Sequence, residues 1–450
     1  MLIPGCSHPL GVVYRTRARA MVAKAGQHGP RTSKMRTVIL TIGSRGDVEP
    51  YVALARRMAD AGFDVSVATH RRMHEFVAAQ GLTARPVAGD PRELLQQSAG
   101  HTWLESAGNP MRLLAGLEPL IEQVLQQGYE DCVEACRDAE LILASWLAVV
   151  PALAIARDSG ARVIPTYTLP AFPTGAYPSV FLPFEFSLGK SGNRLSHYLA
   201  KQAYWNMFRR KFDDMRRRGG EFPRLARRVG EAMTRGPALL GMSPSIVPAA
   251  RGDPVQPTGF WVPNAGETWI PPPELLDFLA AGPPPVCIGF GSMTARAPEQ
   301  LAAIVRDAVR AAGKRAIVLT GWGAIASIVP ERDLFVMEEA PHGWLLPRVS
   351  LMVHHGGPGT VGACVRAGIP SITVPFFADQ RFWGSRLYAL GLSPRPLPRS
   401  KLSADRLARL IQEATGDPGF AQRAARVAQH IALEDGAGEA IRVVKKAIRA

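Results

Sequence analysis

From Met35 onward, short apolar runs alternate with longer amphipathic stretches. Residues 36–42 form an apolar run of strand length, followed by the turn Gly43-Ser-Arg-Gly-Asp47. Pro50 suits the first turn of a helix running to about Ala61. Gly62 stops that helix, and residues 63–68 read as the next strand. Residues 141–144 and 162–164 read as further strands with a helix between them. The pattern restarts with a strand at 286–290, a turn at 291–294 and a helix from Pro298 to about Ala312. Runs at 315–319, 351–354 and 371–374 continue it. Apolar strands separated by helical stretches predict parallel sheets covered by helices on both faces. The fold class is therefore α/β, with two doubly wound domains facing each other across a cleft. Ligands in such sheets bind outside the carboxyl ends of the strands.

Punctuation between these series sets the boundaries. Pro254, Pro257, Pro263, Pro271, Pro272, Pro273, Pro283, Pro284 and Pro285 crowd one short stretch, and proline at that density favours extended connections. The expected division is a first domain over 35–262, a proline-rich linker over 263–285 and a second domain over 286–435. A C-terminal helix over 436–450 is expected to cross back to the first domain. Residues 1–34 carry six basic side chains and no acid, and they lack strand or helix periodicity. They read as a disordered tail or a start placed ahead of the true initiator at Met35; a targeting role is the sharper alternative. With no apolar segment before a small-residue cleavage site, they do not read as a secretory signal.

Composition narrows the class without naming a chemistry. The chain has 450 residues, 47% hydrophobic and 20% charged, as expected of a globular protein of two or three domains. Its five cysteines include no Cys-x-x-Cys pair. A reducing compartment fits better than a disulfide framework. The longest apolar run, 141–156, is interrupted by Pro151 and falls short of a membrane span. The net charge of +15 is unusual. The tail accounts for six of those charges. Residues 201–228 account for seven more, with ten basic against three acidic side chains. The rest of the chain is nearly neutral.

Four loops that follow strands carry chemistry. In the first, Asp47 stands where a general base would face the cleft, or where it would cap a helix. The second, Gly289-Phe-Gly291-Ser292, permits close backbone approach to a phosphate at a helix N-terminus, but equally suits a plain connection. A dinucleotide site would want an acid ending the second strand. Residues 68–70 and 319–321 offer none, which counts against NAD. The third loop, His354-His-Gly-Gly-Pro-Gly-Thr360, is the strongest. Its backbone amides suit a diphosphate and its imidazoles suit diphosphate oxygens. The alternative is a tight turn with an exposed or metal-binding histidine pair. Metal is disfavoured because no third ligand follows at helical spacing. The fourth, Pro375-Phe-Phe-Ala-Asp379-Gln380, sets an acid beside an amide, suited to vicinal sugar hydroxyls or to capping.

Taken in order, Gly43-Ser-Arg-Gly-Asp-Val-Glu-Pro50, Ser243-Pro-Ser245, Thr258-Gly-Phe-Trp261, Gly289-Phe-Gly-Ser-Met293, Pro341-His-Gly-Trp344, His354 to Thr360 and Pro375 to Gln380 resemble glycosyltransferase family 1. The likeness is to the branch of sterol glucosyltransferases and glycopeptide-antibiotic glycosyltransferases, over about residues 35 to 430. It implies a GT-B fold of two Rossmann-like domains. It also implies inverting, metal-independent transfer of a hexose from a nucleotide sugar, with UDP-glucose first and dTDP-deoxysugars open, and no further cofactor. The lack of any Asp-x-Asp agrees with metal independence. By the same resemblance, Asp47 is the base for the acceptor hydroxyl, and Ser44 and Arg45 lie near the donor diphosphate and sugar. His355, Gly359 and Thr360 contact the diphosphate, with Ser292 at nucleotide or diphosphate. His342 and Trp322 lie at the nucleotide, and Asp379 and Gln380 hold sugar hydroxyls. Three departures bear on nucleotide and sugar identity. Pro358 replaces a small residue, Gly343 stands where the sterol branch has Asp, and Glu339 stands where plant members stack a Trp on the base.

The acceptor side is less legible. Residues 165–173 and 177–186 are apolar and aromatic, which suits a lipophilic hydroxyl acceptor or ordinary packing. In 201–228, Tyr204, Trp205, Phe208, Phe212 and Met215 recur at helical spacing among basic residues. That pattern suits peripheral contact with an anionic membrane, or a stripe packed on its own domain with solvated charges. No recognised motif points to nucleic acid. The expected setting is cytoplasmic, with the inner membrane face as a docking option. The competing functions are a non-catalytic sugar-nucleotide or lipid-binding homologue and a sugar-nucleotide epimerase.

Overall fold

The computed structural model describes residues 34–450 except 91, 94–121, 123, 124, 127, 183–186, 221, 223, 226–236, 251, 252, 254, 264–268, 294–296, 326, 377, 378 and 450. The expectation for the 1–34 tail thus falls almost wholly outside the described residues. Residues 36–450 form one unit.

Strand β1 (Arg36–Leu40) buries Val38, Ile39 and Leu40 completely or nearly so. Such a run belongs inside a sheet covered on both faces. Around it lie β2 (Asp64–Thr69), β3 (Thr83–Pro86), β4 (Leu141–Ala144), β5 (Arg162–Tyr167) and β6 (Leu239–Leu240), in the order β3-β2-β1-β4-β5-β6. Every pairing is parallel. The second sheet holds β7 (Val286–Gly289), β8 (Ala316–Leu319), β9 (Leu334–Met337), β10 (Leu351–His354) and β11 (Ser371–Thr373), in the order β11-β10-β7-β8-β9. It too is all parallel. Strand order reverses beside β1/β4 in the first sheet and beside β7/β10 in the second. A doubly wound sheet opens its ligand crevice at those points. The loops after β1, β7 and β10 are the glycine-rich ones of the sequence.

Helix α1 (Arg45–Asp60) follows β1 and starts five residues earlier than Pro50 suggests. Ser44 is its N-cap and Asp47 its third residue, and the two form a capping box. That local device outweighs the proline, which sits inside the helix. Further helices among the described residues include α2 (His74–Ala79), α3 (Val149–Ser159), α4 (Gly189–Arg217), α5 (Pro273–Ala280), α6 (Pro298–Ala312), α7 (His342–Leu345), α8 (Pro358–Ala367), α9 (Gln380–Ala389), α10 (Ala404–Gly416), α11 (Pro418–Ile431) and α12 (Gly436–Arg449).

The proline-rich stretch is not extended throughout. Pro273 occupies the first turn of α5, where its missing N–H costs nothing. Leu275 of that helix is fully buried beside Cys287 and Ile317 of the second sheet. Beyond α11 the chain returns to the first half. Arg57 Nη2 pairs with Asp435 at 3.0 Å, and Arg162 Nη1 donates to Ile448 O at 2.8 Å. Glu434 Oε1 accepts from Ser243 Oγ at 2.6 Å and Ser245 Oγ at 3.1 Å, so Ser243-Pro-Ser245 anchors this return.

In the segment 201–228, the described residues take the second of the two expected readings, a stripe packed on its own domain. Tyr204, Trp205, Phe208, Phe212 and Met215 of α4 are all buried in the first core, with Tyr129, Val149 and Val150. Many of the surrounding charges are paired. Lys211 and Arg218 reach Glu122 at 2.7 and 2.9 Å, and Arg209 and Arg216 reach Asp213 at 3.3 and 2.7 Å. That apolar stripe is packed inward and offers nothing to a membrane.

Candidate active site

The first rim of the cleft is the loop after β1. Gly43 takes φ +147°, and a Cβ there would lie 2.5 Å from Asp47 Cβ, so glycine is required. Asp47 Oδ2 accepts from Ser44 N–H and from Ser44 Oγ–H, both at 2.9 Å. Asp47 therefore shares in capping without being the N-cap, and its carboxylate still stands at the switch point. Burial pushes its pKa up, opposed by the two Ser44 bonds. One turn on, Tyr51 Oη donates to Thr166 O at 2.8 Å and ties α1 to β5. Behind the loop, His70 Nε2–H donates to Gly43 O at 3.0 Å.

The second rim follows β7 and β10. His354 is fully buried, and its Nδ1 accepts Gly356 N–H at 3.0 Å, which places any single ring proton on Nε2. Gly356 takes φ +94°, where a Cβ would lie 2.7 Å from Thr373 Cγ2. The chain then presents His355 between two glycines. A Cβ on Gly357 would lie 2.4 Å from His355 Nε2, and one on Gly291 would lie 3.2 Å from Cε1. His355 Nδ1 is buried and has no hydrogen-bond partner among the described residues. Burial, with His342 nearby, lowers the His355 pKa to about 4. Its neutral ring is a one-proton donor.

Pro358 is the first residue of α8, where a missing N–H is no loss. The first intrahelical bond runs from Val361 N–H to Gly357 O at 2.9 Å. The amides of Gly359 and Thr360 precede it, at the positive end of the helix dipole.

The rims meet through glycine. A Cβ on Gly359 would lie 3.4 Å from Gly46 Cα, so the N-termini of α1 and α8 abut across the cleft. The positive end of α8 favours an anion there, while the α1 end is already met by Asp47 Oδ2. Arg45 sits beside this contact, 2.9 Å from Glu49 and 4.0 Å from Glu339 of the other half. His342 opens α7, and burial lowers its pKa to about 4 while Glu49 acts in the opposite sense. Ser292 follows Gly291, whose carbonyl accepts Trp322 N–H at 3.0 Å. Both side chains are half-buried.

Asp379 precedes α9 and is also half-buried, and its Oδ2 accepts Trp383 Nε1–H at 3.1 Å. Burial pushes its pKa up to about 7; the Trp383 bond opposes this and the Asp47 charge adds to it. The two carboxylates, one from each half, therefore feel each other. Gln380 is buried, with Oε1 accepting Phe376 N–H at 2.7 Å and Nε2 3.6 Å from Met293 Sδ. It holds two loops of the second rim together.

Sequence reasoning missed several contributors. Trp383 is fully buried one helical turn from Asp379, a spacing readable as a side-chain pair. Trp146, just after β4, stacks on Tyr204 at 4.3 Å and on Phe181 at 4.9 Å between centroids. Tyr177 meets Phe382 of the other half at 4.9 Å, and Phe382 meets Trp383 at 5.1 Å. An aromatic wall thus runs from the first half towards Asp379. No single segment announces it.

Two facing parallel α/β halves, with a carboxylate on one rim and a glycine-cradled imidazole and helix N-terminus on the other, define the GT-B glycosyltransferase class. Comparisons with known proteins agree. Residues 37–170 match the glycosyltransferase family 28 N-terminal domain, and residues 323–446 match the erythromycin biosynthesis protein CIII-like C-terminal domain. The chain is 32% identical over 421 residues to the sterol 3-beta-glucosyltransferase UGT80B1 of Arabidopsis thaliana, covering 91% of this chain and 67% of that one. It is 32% identical over 430 residues to a sterol 3-beta-glucosyltransferase of Neosartorya fischeri, covering 91% of this chain and 29% of that one. The structure of the glycosyltransferase VinC in complex with dTDP superposes with a TM-score of 0.61 at 20% identity, over 92% of this chain and all of VinC. The chain belongs to glycosyltransferase family 1, with its sterol 3-beta-glucosyltransferases. It spans 67% of the plant relative and less than a third of the fungal one. Among the described residues no helix is long and apolar enough to cross a membrane.

Proposed function

We propose that this protein transfers a hexose from a nucleoside diphosphate sugar, UDP-glucose first, to the hydroxyl of a lipophilic, sterol-type acceptor, with inversion and without a metal ion. The observation that carries this reading is the opposition of Asp47 to His355 and the Gly359–Thr360 amides across the Gly46–Gly359 contact. The acceptor oxygen attacks the anomeric carbon, and Asp47 takes the hydroxyl proton. The bond from that carbon to the diphosphate breaks, and its electron pair leaves with the diphosphate. The α8 amides and the neutral His355 ring receive the growing negative charge. Asp379, with Gln380 fixing its loop, holds sugar hydroxyls. Ser44 and Arg45 stand near the diphosphate and sugar, and Ser292, Trp322 and His342 border the nucleotide. The wall of Trp146, Phe181 and Tyr177 receives the acceptor.

VinC, solved with dTDP, keeps a thymidine donor in view. Four buried free thiols, Cys132, Cys136, Cys287 and Cys364, accord with a reducing, cytoplasmic setting. The test is a donor-by-acceptor screen of the purified protein read by mass spectrometry, with the product anomer assigned by NMR and transfer repeated in chelator. A β-glucoside of a sterol, formed from UDP-glucose in chelator, is the expected result. Donor binding without transfer to any acceptor, or donor epimerised without acceptor, would overturn the reading.

A further inference from the structure

Helix α4 has two unlike faces along its first half. The inner face holds the acceptor side of the cleft. Asn193 Nδ2 donates to Gly175 O at 3.0 Å, Ser196 Oγ accepts Ser179 N–H at 2.8 Å, and His197 Nε2–H donates to Tyr177 O at 3.1 Å. Tyr204 lies under Trp146 and donates to its carbonyl at 3.0 Å. The outer face exposes an apolar cluster. Leu195, Tyr198 and Leu199 are 59%, 47% and 59% exposed, and their spacing of three and four residues sets them side by side.

Charge identifies the occupant of this face. Residues 189–212 contain Lys190, Arg194, Lys201, Arg209, Arg210 and Lys211 and no Asp or Glu. Lys190, Arg194 and Arg210 are exposed, Arg194 with Asp253 at 3.2 Å. Farther along, the helix carries its own acids, Asp213 and Asp214. A symmetric pairing of two copies would bring the same cations together. An anionic surface with an apolar interior satisfies both features at once. A tyrosine among the leucines suits the headgroup level.

We propose that Leu195, Tyr198 and Leu199, with Lys190 and Arg210, dock α4 on an anionic lipid bilayer, so that the loop beneath, residues 174–182, and Trp146 open towards the lipid. The proposal rests on the lipophilic-acceptor reading for its purpose, but binding is measured without donor or acceptor. The experiment is co-sedimentation of the full chain with phosphatidylcholine vesicles containing or lacking phosphatidylserine. The expected result is binding that needs phosphatidylserine and weakens with salt. Leu195→Asp/Leu199→Asp should lower partitioning about tenfold or more, and Lys190→Glu/Arg210→Glu should remove the phosphatidylserine preference. Circular dichroism and transfer to detergent-dispersed acceptor should be unchanged in both. Should the aspartates disturb folding, Leu195→Ser/Leu199→Ser gives the same reading. Wild-type protein that ignores anionic vesicles, or variants that bind them equally well, would overturn the proposal. So would light scattering showing a dimer that the variants disperse while vesicle binding persists. Failed transfer to every acceptor, with vesicle binding intact, would count against the proposed reaction and not against this surface.

Discussion

The two rims of the cleft are built alike and equipped differently. Each is a parallel strand, a glycine turn and the N-terminus of a helix: β1 to α1 in the first half, β10 to α8 in the second. In the first, a carboxylate occupies the positive helix end, with Asp47 Oδ2 accepting both Ser44 donors at 2.9 Å. In the second, the amides of Gly359 and Thr360 and the imidazole of His355 stand where an anion is wanted. Same-fold halves thus divide the work by what fills the helix end. One brings an acceptor for a proton; the other brings donors for a leaving diphosphate.

That division predicts separable losses. Asp47→Asn keeps an oxygen for the Ser44 bonds, so α1 remains capped. Turnover should still fall about 10²–10⁴-fold, the range for a lost general base, while calorimetry shows donor affinity nearly unchanged. A comparable loss of donor affinity would break the comparison. The pH profile sharpens it. The base works deprotonated, and burial raises its pKa above the ordinary carboxylate value. Activity should therefore fail, as pH drops, above the ordinary carboxylate range. His355→Ala should show the opposite pattern, weakening donor binding roughly ten- to hundredfold through a lost bond to a charged group. An unchanged donor Kd would remove His355 from the site.

A smaller effect tests a likeness between the halves. Each carboxylate is held by a neutral donor on its own helix, Ser44 for Asp47 and Trp383 for Asp379. Trp383→Phe should raise donor KM a few-fold, with kcat less affected, since one neutral bond amounts to about 1 kcal/mol. Linkage supplies a second readout. Burial pushes the Asp379 pKa up to about 7 in the folded chain, from an ordinary aspartate value of 3.8. Between those values the folded chain holds a proton that the unfolded chain has released. Its stabilising contribution is thus present below 3.8 and is lost as pH rises to about 7. The Trp383 bond favours the charged form, so its removal should carry the decline to higher pH in thermal melts. A profile identical to wild type would leave Trp383 a packing residue only.

Local signals made the rims readable, and nonlocal ones hid the rest. The runs 141–144, 298–312 and 351–354 coincide with β4, α6 and β10, because periodicity and flanking glycine or proline act within the segment. Gly43, Gly356 and Gly357 were legible because their chemistry is steric and immediate. Pro50 misled because a capping box at Ser44 and Asp47 outweighs one proline. Helix α5 was hidden among prolines, since its stability comes from Leu275 packed on a sheet still to follow in the chain. The inward stripe of α4 looks the same in sequence whether a core or a membrane covers it. The contact of Gly46 with Gly359 joins residues more than three hundred positions apart, and nothing in either loop foretells it.

The smallest effect belongs to the link between the rims. Arg45 reaches Glu49 of its own helix at 2.9 Å and Glu339 of the other half at 4.0 Å. Arg45 is 44% exposed and Glu339 75%, so solvent screens the longer pair. As an interdomain tie alone, Arg45→Ala should change kcat/KM by no more than about threefold, as expected of an exposed ion pair. Glu339→Ala should match it, and salt should erase both effects. If Arg45 also touches the donor diphosphate, Arg45→Ala should weaken donor binding well beyond Glu339→Ala, and the gap should persist in salt. The two rims would then share the anion, and the division between a proton-handling half and a diphosphate-handling half would have to be redrawn with Arg45 on the second side.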